Sequence, residues 1–441
     1  MTSPNHARTA TALDHARVTT LDAVDFTAIV RPGDTVLWTQ GAGEPLPLIE
    51  RLLAQRHAIG GFHVVFGGAG FTDVVRPGHA DVLSFTGLGA VGSQRALCRA
   101  GAMEILPIHL SELSRLITSR TLRIDVVLAQ VSENARGELS LSAAGGCAAA
   151  ALSSARTVIA EVNEQAPWTF SQHPLDAGLI DLAVHTSRPL VEVPSRPPST
   201  VDLAIAAQVA GLISDGSTVQ LGIGSVPGAV AGLLTSHRDL GLHSGVIGDA
   251  VVDLIESGAV TNTVKTVDHG VSVTGGLLGT RRLFDFAHHN DRLRVDPVSH
   301  THDPNVLRRL PRFTAINSAL EVDLTGQVSA EVAGSAYVGT IGGQVDFVRG
   351  ALASPGGRSI IALPSRTTSG TSRIVPRLSS GIVTTGRAEA DAIVTEYGVA
   401  ELRGSPINER VRHMIEIAHP DDREALRRQA YDQVAGYWEK Q

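Results

Sequence analysis

Hydrophobic residues along this chain come in short runs, and glycine-rich loops separate these runs from segments of helical period. Runs of this kind are typical of strands that a parallel sheet buries on both faces. We predict such strands over residues 124–129, 157–162, 359–364 and 392–396. Helical periodicity is clear over residues 46–56 and 143–153 and from residue 407 onward. The alternation predicts an α/β protein in which helices pack against open sheets.

One unit of this pattern occurs twice. Residues 33–36 (GDTV) and residues 216–219 (GSTV) are each followed by a loop with glycine and proline and then by a pair of leucines, at nearly the same spacing. Each copy reads as a turn, a buried strand, a loop and an amphipathic helix, which is the βα unit of a parallel sheet. The repeat predicts two related α/β domains.

A proline-rich stretch lies between the two copies. It contains four prolines from residue 189 to residue 198. Because proline fixes φ and lacks an N–H donor, the stretch favours an extended connector over a helix. We therefore predict an N-terminal α/β domain over residues 1–187, a linker over residues 188–199, and a C-terminal α/β domain with terminal helices over residues 200–441.

Composition narrows the function classes. The net charge is −7, and the 37 basic residues are scattered without interleaved aromatic residues, so nucleic-acid binding is not expected. The sequence has no secretory signal pattern and no apolar run long enough to span a bilayer, so we predict a cytoplasmic protein without a membrane segment. Cys98 and Cys147 lack metal-ligand spacing and read as buried thiols.

Two glycine-rich segments are candidate ligand-binding loops. Residues 221–227 (LGIGSVP) end a predicted strand and open a helix, where backbone N–H groups could meet a phosphate or a pantetheine chain. Tight turns of this type are also glycine-rich for steric reasons alone. Around Gly342 and Gly343, glycines flank a charged pair. That segment reads either as a loop that offers N–H donors to an oxyanion or as a β-bulge with a core ion pair.

Carboxylates and histidines indicate a functional site less clearly. Glu321 and Asp323 share one face of a predicted strand, which favours a solvent-facing strand edge. Four histidines, at positions 288, 289, 300 and 302, lack the helical i, i+4 spacing of a zinc site and have no cysteine nearby. For these histidines we predict a polar loop and no metal.

Taken together, these segments resemble the acetyl-CoA hydrolase/transferase family, the class I CoA-transferases that include 4-hydroxybutyrate CoA-transferase and butyryl-CoA:acetate CoA-transferase. The similarity covers roughly residues 25 to 430. It rests on GIGSVP at 222–227, DAVVDLIESG at 249–258, INSALEVDLTGQ at 316–327 and GGQVDFVRGA at 342–351, with shorter matches at 372–376, 394–398 and 417–420.

The resemblance implies two related open α/β domains of the CoA-transferase type that face each other across a cleft. In the family a glutamate attacks the acyl-CoA thioester, and CoA then passes through a glutamyl thioester to an acceptor acid. A CoA thioester is thus the expected substrate, no cofactor is permanently bound, and we expect a homodimer or higher homo-oligomer. The residues that match the family's CoA-binding segments are Gly222, Ile223, Gly224, Ser225, Val226, Gly342 and Gly343, and the last two would also hold the thioester oxygen.

The chain departs from the family at the nucleophile. Relatives read His-Thr-Glu-Met where residues 243–246 of this chain read His-Ser-Gly-Val, so Gly245 stands at the position of the catalytic glutamate. A glycine cannot form an anhydride or a thioester. The carboxylates that could replace the missing nucleophile are Asp249, Glu256, Glu321 and Glu331, although each has a counterpart in relatives that keep their glutamate.

The sequence therefore predicts an acyl-CoA-acting enzyme of the CoA-transferase or acyl-CoA hydrolase type that works without a glutamyl-CoA intermediate. Water, an acceptor carboxylic acid or a nucleophile within the substrate would attack the thioester directly. Two alternatives stay open: a CoA-transferase that uses a relocated carboxylate, and a non-catalytic relative that only binds CoA thioesters.

Overall fold

The computed structural model describes residue 13 and residues 15–438 of the chain, with side chains as far as residue 430. The outer ends of the two predicted domains, residues 1–12 and 439–441, lie outside the described residues.

The first half of the described chain forms a mainly parallel sheet. Its strands are β1 (Arg17–Thr19), β2 (Thr35–Trp38), β3 (His63–Phe66), β4 (Ser84–Gly87), β5 (Met103–Ile105), β6 (Val126–Glu133), β7 (Leu139–Ser140), β8 (Thr157–Asn163) and β9 (Leu182–Thr186). Their order is β1-β9-β8-β6-β2-β3-β4-β5, and β7 pairs antiparallel with β6. The connecting helices are α1 (Leu46–Ala54), α2 (Arg56–Ile59), α3 (Gln94–Arg99), α4 (Leu110–Thr118) and α5 (Gly145–Leu152).

Both faces of this first sheet are covered. In β2, Val36 and Trp38 pack into one hydrophobic cluster and Leu37 packs into another. In β6, Val126 and Val127 divide between the same two clusters. Successive side chains of a strand point to opposite faces, so a sheet covered on both sides needs apolar residues at every position. This is why these strands read as continuous hydrophobic runs in the sequence.

The second half repeats the architecture with a second sheet. Its strands are β10 (Thr218–Gln220), β11 (Gly241–Ser244), β12 (Ser272–Thr274), β13 (Leu293–Val295), β14 (Phe313–Asn317), β19 (Arg358–Ala362), β21 (Ala392–Thr395) and β22 (Gly398–Glu401). Their order is β13-β12-β11-β10-β14-β19-β21-β22, parallel except for the last pair. Two small sheets contain β15 (Glu321–Asp323), β16 (Val328–Ser329) and β20 (Ile374–Val375), and β17 (Val332–Ala333) and β18 (Ala336–Tyr337).

Helices of the second half surround this sheet. They are α6 (Thr200–Ala210), α7 (Ser225–Leu233), α8 (Ala250–Glu256), α9 (Arg281–Ala287), α10 (Val298–Thr301), α11 (Pro304–Leu307), α12 (Gln344–Ala353), α13 (Ile407–Glu416) and α14 (Pro420–Trp438). The last two confirm the helical C-terminal segment that the sequence predicts. The predicted strands at 359–364 and 392–396 correspond to β19 and β21.

The connector between the halves is extended and is anchored at both ends. Residues 187–199 form neither helix nor strand. Arg188 pairs with Glu161, a fully buried residue of β8, at 2.7 Å. At the other end, Ser199 and Asp202 form a capping box that satisfies N–H groups at the start of α6. The connector is therefore fixed to the elements on either side of it.

Candidate active site

The carboxyl ends of parallel strands from both sheets meet at one cleft. In a parallel sheet, these ends all lie on the same edge, where binding sites of open α/β folds are found. The loops after β2, β3 and β4 form one wall, and those after β10, β11 and β12 form the other. The walls are joined by hydrogen bonds, among them Leu277 N–H to the Ala143 carbonyl at 2.9 Å and Thr340 Oγ1 to the Leu88 carbonyl at 2.7 Å.

The cleft consists of two cavities that meet at a waist. The larger measures about 370 Å³ and the smaller about 150 Å³. Residues that line both, and so form the waist, are Gly68, Ala69, Leu110, Cys147, Gly245, Val246, Leu278 and His302. The smaller cavity lies against α5 and is mostly apolar, with Trp38, Ala144, Ala148 and Leu277 in its wall.

Few ionisable groups reach this cleft. Within the described part of the chain, the cavity-lining residues that can ionise are His302 and Cys147, and neither cavity is lined by Asp, Glu, Lys or Arg. Burial raises the pKa of the Cys147 thiol to about 12, so the thiolate is not formed at neutral pH. This leaves the imidazole of His302 as the other ionisable side chain among the described residues that line the cleft.

Gly245 directly follows β11 at the waist, and two aromatic rings crowd its side-chain position. A Cβ atom at this residue would lie 3.0 Å from both Cε1 and Nε2 of His302 and 3.2 Å from the ring of Phe347. Contacts this short require the neighbouring ring to move. The imidazole of His302 thus crowds the position where a side chain of residue 245 would begin.

His302 follows α10 and is held tightly. It is 2% exposed, its Nδ1 lies 2.8 Å from Thr301 Oγ1, and its ring packs against Phe347 with a centroid separation of 4.5 Å. Burial lowers the pKa of this imidazole to about 3, so the ring is neutral at physiological pH.

The prediction of a polar loop was wrong for His300 and His302, although His288 and His289 are exposed as expected. His300 is 9% exposed and pairs with Asp268 at 2.8 Å. The sequence did contain a signal for helix here, because Asp303 caps α11 and Pro304 occupies its first turn. That signal predicts ordered structure, but not which histidine reaches the cleft.

A buried polar network lies behind His302. His243 is fully buried, and its Nε2 lies 3.0 Å from the Thr301 carbonyl. Asp268 binds both His300 and Arg294. These bonds hold the segment that presents His302, because buried hydrogen bonds cost free energy to break. Nδ1 of His243 is buried and has no hydrogen-bond partner among the described residues.

The glycine pair ends a loop and opens α12, so the β-bulge alternative was wrong. Gly342 has φ +54, and its N–H donates to Thr340 Oγ1 at 3.1 Å. Gly343 lies against His302 Nε2, and its N–H meets no protein acceptor among the residues described. The charged pair does not form a core ion pair, since Asp346 bonds Ser111 and Arg349 bonds Glu389.

The other glycine-rich segment, residues 221–227, contributes Leu221, Gly222 and Ile223 to the cleft. Gly222 and Ile223 line the larger cavity, whereas Gly224, Ser225 and Val226 do not. Gly224 has φ +116, a conformation that side chains rarely adopt, and it places Ser225 at the start of α7. The exposed guanidinium of Arg196 lies 3.4 Å from Ser225 Oγ.

Comparison with known proteins assigns the chain to a protein family. Residues 279–430 match the acetyl-CoA hydrolase/transferase C-terminal domain. The 4-hydroxybutyrate coenzyme A transferase of Clostridium kluyveri is 38% identical over 395 residues, which are 89% of this chain and 92% of that protein. The chain belongs to the acetyl-CoA hydrolase/transferase family. The predicted resemblance is confirmed, and the protein is an enzyme of the CoA-transferase or acyl-CoA hydrolase type.

Solved structures agree with this family membership. RipA from Yersinia pestis has a TM-score of 0.87 at 31% identity, and the 4-hydroxybutyrate CoA-transferase from Porphyromonas gingivalis has a TM-score of 0.80 at 32% identity. Each comparison covers 95% of this chain and 98% of the other. The fold class predicted from the sequence, two open α/β domains of the CoA-transferase type, is confirmed.

In this family member, the four candidate carboxylates are engaged elsewhere. Asp249 accepts hydrogen bonds from Thr280 N–H and Oγ1, both at 3.0 Å. Glu331 accepts from Tyr337 at 2.5 Å and Thr384 at 2.6 Å, and the exposed Glu256 pairs with Arg282. None of these side chains is among the residues that line either cavity, within the range described.

Glu321 is also engaged, and the solvent-facing strand edge predicted for it was wrong. Glu321 accepts a hydrogen bond from Ser379 N–H at 2.7 Å, and Asp323 accepts from Thr325 and Gln327. Their exposures are 9% and 2%. Buried carboxylates need such donors, because an unpaired buried charge is strongly unfavourable. These two residues organise the small sheet around β15.

Two further observations concern the described residues as a whole. No three His, Cys, Asp or Glu side chains among them come together as ligands of a metal ion would. None of their helices combines the length and the apolar character that crossing a membrane requires.

Proposed function

We propose that this enzyme cleaves acyl-CoA thioesters by direct attack of a nucleophile that the protein does not itself supply. The observation that supports this most strongly is the place of His302, which fills the space beside Gly245 in a cleft whose described lining residues include no carboxylate. A protein nucleophile must lie about 3–3.5 Å from the carbonyl carbon to react. Attack without a glutamyl-CoA intermediate is therefore the route that fits these contacts.

The two cavities divide the substrate between them. We assign the pantetheine arm of CoA to the larger cavity, beside Gly222, Ile223 and Gly343, and the acyl group to the smaller apolar cavity against α5. The thioester then lies at the waist, next to Gly245 and His302. Attack by water breaks the C–S bond and releases the acid and CoA. Attack by an acceptor carboxylate breaks the C–S bond and forms a mixed anhydride with release of CoA thiolate. The thiolate then attacks the acceptor carbonyl of the anhydride, which forms the new acyl-CoA, breaks the C–O bond and releases the donor acid as its carboxylate.

This proposal predicts thioester cleavage with a preference for uncharged acyl groups. Wild-type enzyme should release free thiol, or form a new acyl-CoA when acetate is added, and should use butyryl-CoA roughly tenfold or more faster than succinyl-CoA. The reason is that no Lys or Arg among the described lining residues could pair with a terminal carboxylate. Thiol release and chromatography of CoA esters measure both reactions. No consumption of any acyl-CoA would favour the non-catalytic alternative.

Trapping of intermediates separates direct attack from a relocated carboxylate. Enzyme mixed with butyryl-CoA and treated with borohydride should show an unchanged intact mass and unchanged peptides. A reduced glutamyl or aspartyl residue at Asp249, Glu321 or Glu331 would contradict direct attack and identify the nucleophile.

Arg196 is predicted to help hold the CoA diphosphate. Its guanidinium is 75% exposed on the side chain and lies near Ser225 at the start of α7, where helix N–H groups also favour an anion. Arg196→Ala should raise KM for butyryl-CoA about tenfold with little change in kcat, as expected for one hydrogen bond to a charged group.

The matched control for this prediction is Arg238→Ala. Arg238 is exposed and lies beyond the opposite end of α7. The pantetheine thioester, which lacks the nucleotide, should be used equally well by wild-type and Arg196→Ala enzymes. An equal loss with both substrates would mean that Arg196 acts on the fold and not on the phosphates.

A further inference from the structure

The imidazole ring of His302 packs against two glycines, Gly245 and Gly343. Its Nε2 lies 3.0 Å from where a Cβ atom of Gly245 would be and closer still to that of Gly343. Any side chain at residue 343 would displace the ring. The two glycines therefore leave the space that this imidazole fills at the waist of the cleft.

The hydrogen bond at Nδ1 determines which ring nitrogen carries the proton. The Thr301 hydroxyl has two acceptors nearby. Its Oγ1 lies 2.8 Å from Nδ1 of His302 and 3.4 Å from the Pro297 carbonyl oxygen. The second distance exceeds the range of about 2.5–3.0 Å that hydroxyl donors prefer. We therefore assign the hydroxyl proton of Thr301 to the bond with Nδ1, which leaves the imidazole proton on Nε2.

Two N–H donors thus lie close together, His302 at the waist and Gly343 in the adjoining wall of the larger cavity. Nε2 of His302 and the backbone N–H of Gly343 both lack a protein acceptor among the described residues. The groups packed against the ring, which are Thr301, Phe347, Gly245 and Gly343, carry no charge. Preorganised donors in a site of low polarity are what a developing oxyanion requires.

We infer that His302 is a catalytic residue whose Nε2–H donates a hydrogen bond to the thioester oxygen, beside the N–H of Gly343. This role rests on the proposed function. As the nucleophile adds, the carbonyl electron pair moves onto oxygen, and both donors stabilise the negative charge. When that pair returns, the C–S bond breaks and the thiolate leaves with the bonding electrons. His302 stays neutral throughout, in keeping with the low pKa that burial gives it.

Kinetics of three variants test this role. His302→Phe should lower kcat for butyryl-CoA about 100-fold, the usual effect of losing one oxyanion donor. His302→Gln keeps an N–H donor and should remain within about tenfold of wild type. The control is His237→Gln, which removes another partly buried imidazole, 3.1 Å from the Ile213 carbonyl and outside both cavities.

The pH profile distinguishes a donor from a base. Between about pH 5 and pH 9, the pH profile of kcat/KM should have the same shape for the wild type and for His302→Phe. The reason is that the ring does not titrate in that range. An inflection near neutral pH that is lost in His302→Phe would mean that His302 accepts a proton, and would overturn the proposal.

A spectroscopic readout tests the hydrogen bond without turnover. In the butyryl-CoA analogue whose sulfur is replaced by CH₂, a ¹³C-labelled ketone takes the place of the thioester carbonyl and cannot be cleaved. Its C=O stretch should move to lower frequency on wild-type enzyme, less on His302→Gln and least on His302→Phe. Equal frequencies on wild type and His302→Phe would overturn the inference. A trapped glutamyl-CoA would instead overturn direct attack and leave this measurement unaffected.

Discussion

Gly245→Glu alone should not form a glutamyl-CoA intermediate, whereas Gly245→Glu combined with His302→Ala should. The new Cβ atom lies 3.0 Å from the His302 ring and 3.2 Å from Phe347, so both rings must give by a few tenths of an ångström before a glutamate fits. Overpacking of this kind lowers the free energy of unfolding by about 1–3 kcal/mol. The backbone of Gly245 does not have a positive φ, so the obstacle is the neighbouring ring and not the main chain.

Removing the imidazole makes space for the carboxylate at the waist. In the double variant we expect borohydride to trap a reduced glutamate at position 245 and the kinetics of CoA transfer to acetate to become ping-pong. Transfer should exceed that of His302→Ala alone by about 100-fold, since a positioned nucleophile contributes several kcal/mol.

Gly245→Ala serves as the steric control and should show the same loss of stability in urea unfolding, without any adduct. A glutamyl-CoA adduct on the single Gly245→Glu variant would mean that His302 moves aside readily. In that case the space beside Gly245 is not closed, and the support for direct attack is withdrawn.

Asp346→Ala should lower both the stability and the activity of the enzyme, because Asp346 joins the two walls of the cleft. This residue of α12 is 4% exposed and accepts hydrogen bonds from the N–H and the hydroxyl of Ser111, in α4, at 3.0 and 2.7 Å. Its loss leaves both Ser111 donors without their partner, which costs about 2–3 kcal/mol. It also releases the start of α12, where Gly343 lies, so kcat/KM should fall about tenfold or more.

Asp346→Asn is the matched control, because an amide can accept from the Ser111 N–H and donate to its hydroxyl. Burial, the largest influence, raises the pKa of Asp346 above its ordinary value of 3.8. The unfolded chain therefore loses this proton at lower pH than the folded enzyme does. As the pH rises from 3.8 toward the pKa of Asp346 in the folded enzyme, ionisation of this residue lowers the free energy of unfolding.

The asparagine variant should lack that component of the pH dependence. Urea unfolding at several pH values, with the wild type as reference, measures it. Equal stability and activity of Asp346→Ala and wild type would contradict a joining role for this residue.

The sequence predicted the elements whose pattern is local. The buried strands, the extended connector and the C-terminal helices follow from periodicity and proline, which act over a few positions. The glycine-rich loops were also found in this way, because a glycine such as Gly224 with φ +116 marks a backbone that other residues rarely adopt.

The sequence failed where burial came from contacts between distant segments. Glu321 looks like an exposed strand residue, yet its donor Ser379 lies 58 residues along the chain. Asp323 has its donors nearby, on Thr325 and Gln327, but the small sheet buries it. His302 looks like part of a polar loop, yet Phe347 and Gly343 enclose it. The CoA-binding and catalytic roles of the candidate residues, and the domain boundaries at residues 187 and 200, remain predictions from the sequence.

The sequence by itself determined the family, the α/β fold class and the presence of glycine at position 245. It did so because a family is carried by many short segments in one order, and a missing side chain is visible in the sequence alone. Only the tertiary structure decided what lies beside Gly245. Close packing leaves little unfilled volume inside a protein, so the absence of a side chain at Gly245 is matched by the presence of another, and here it is the imidazole of His302.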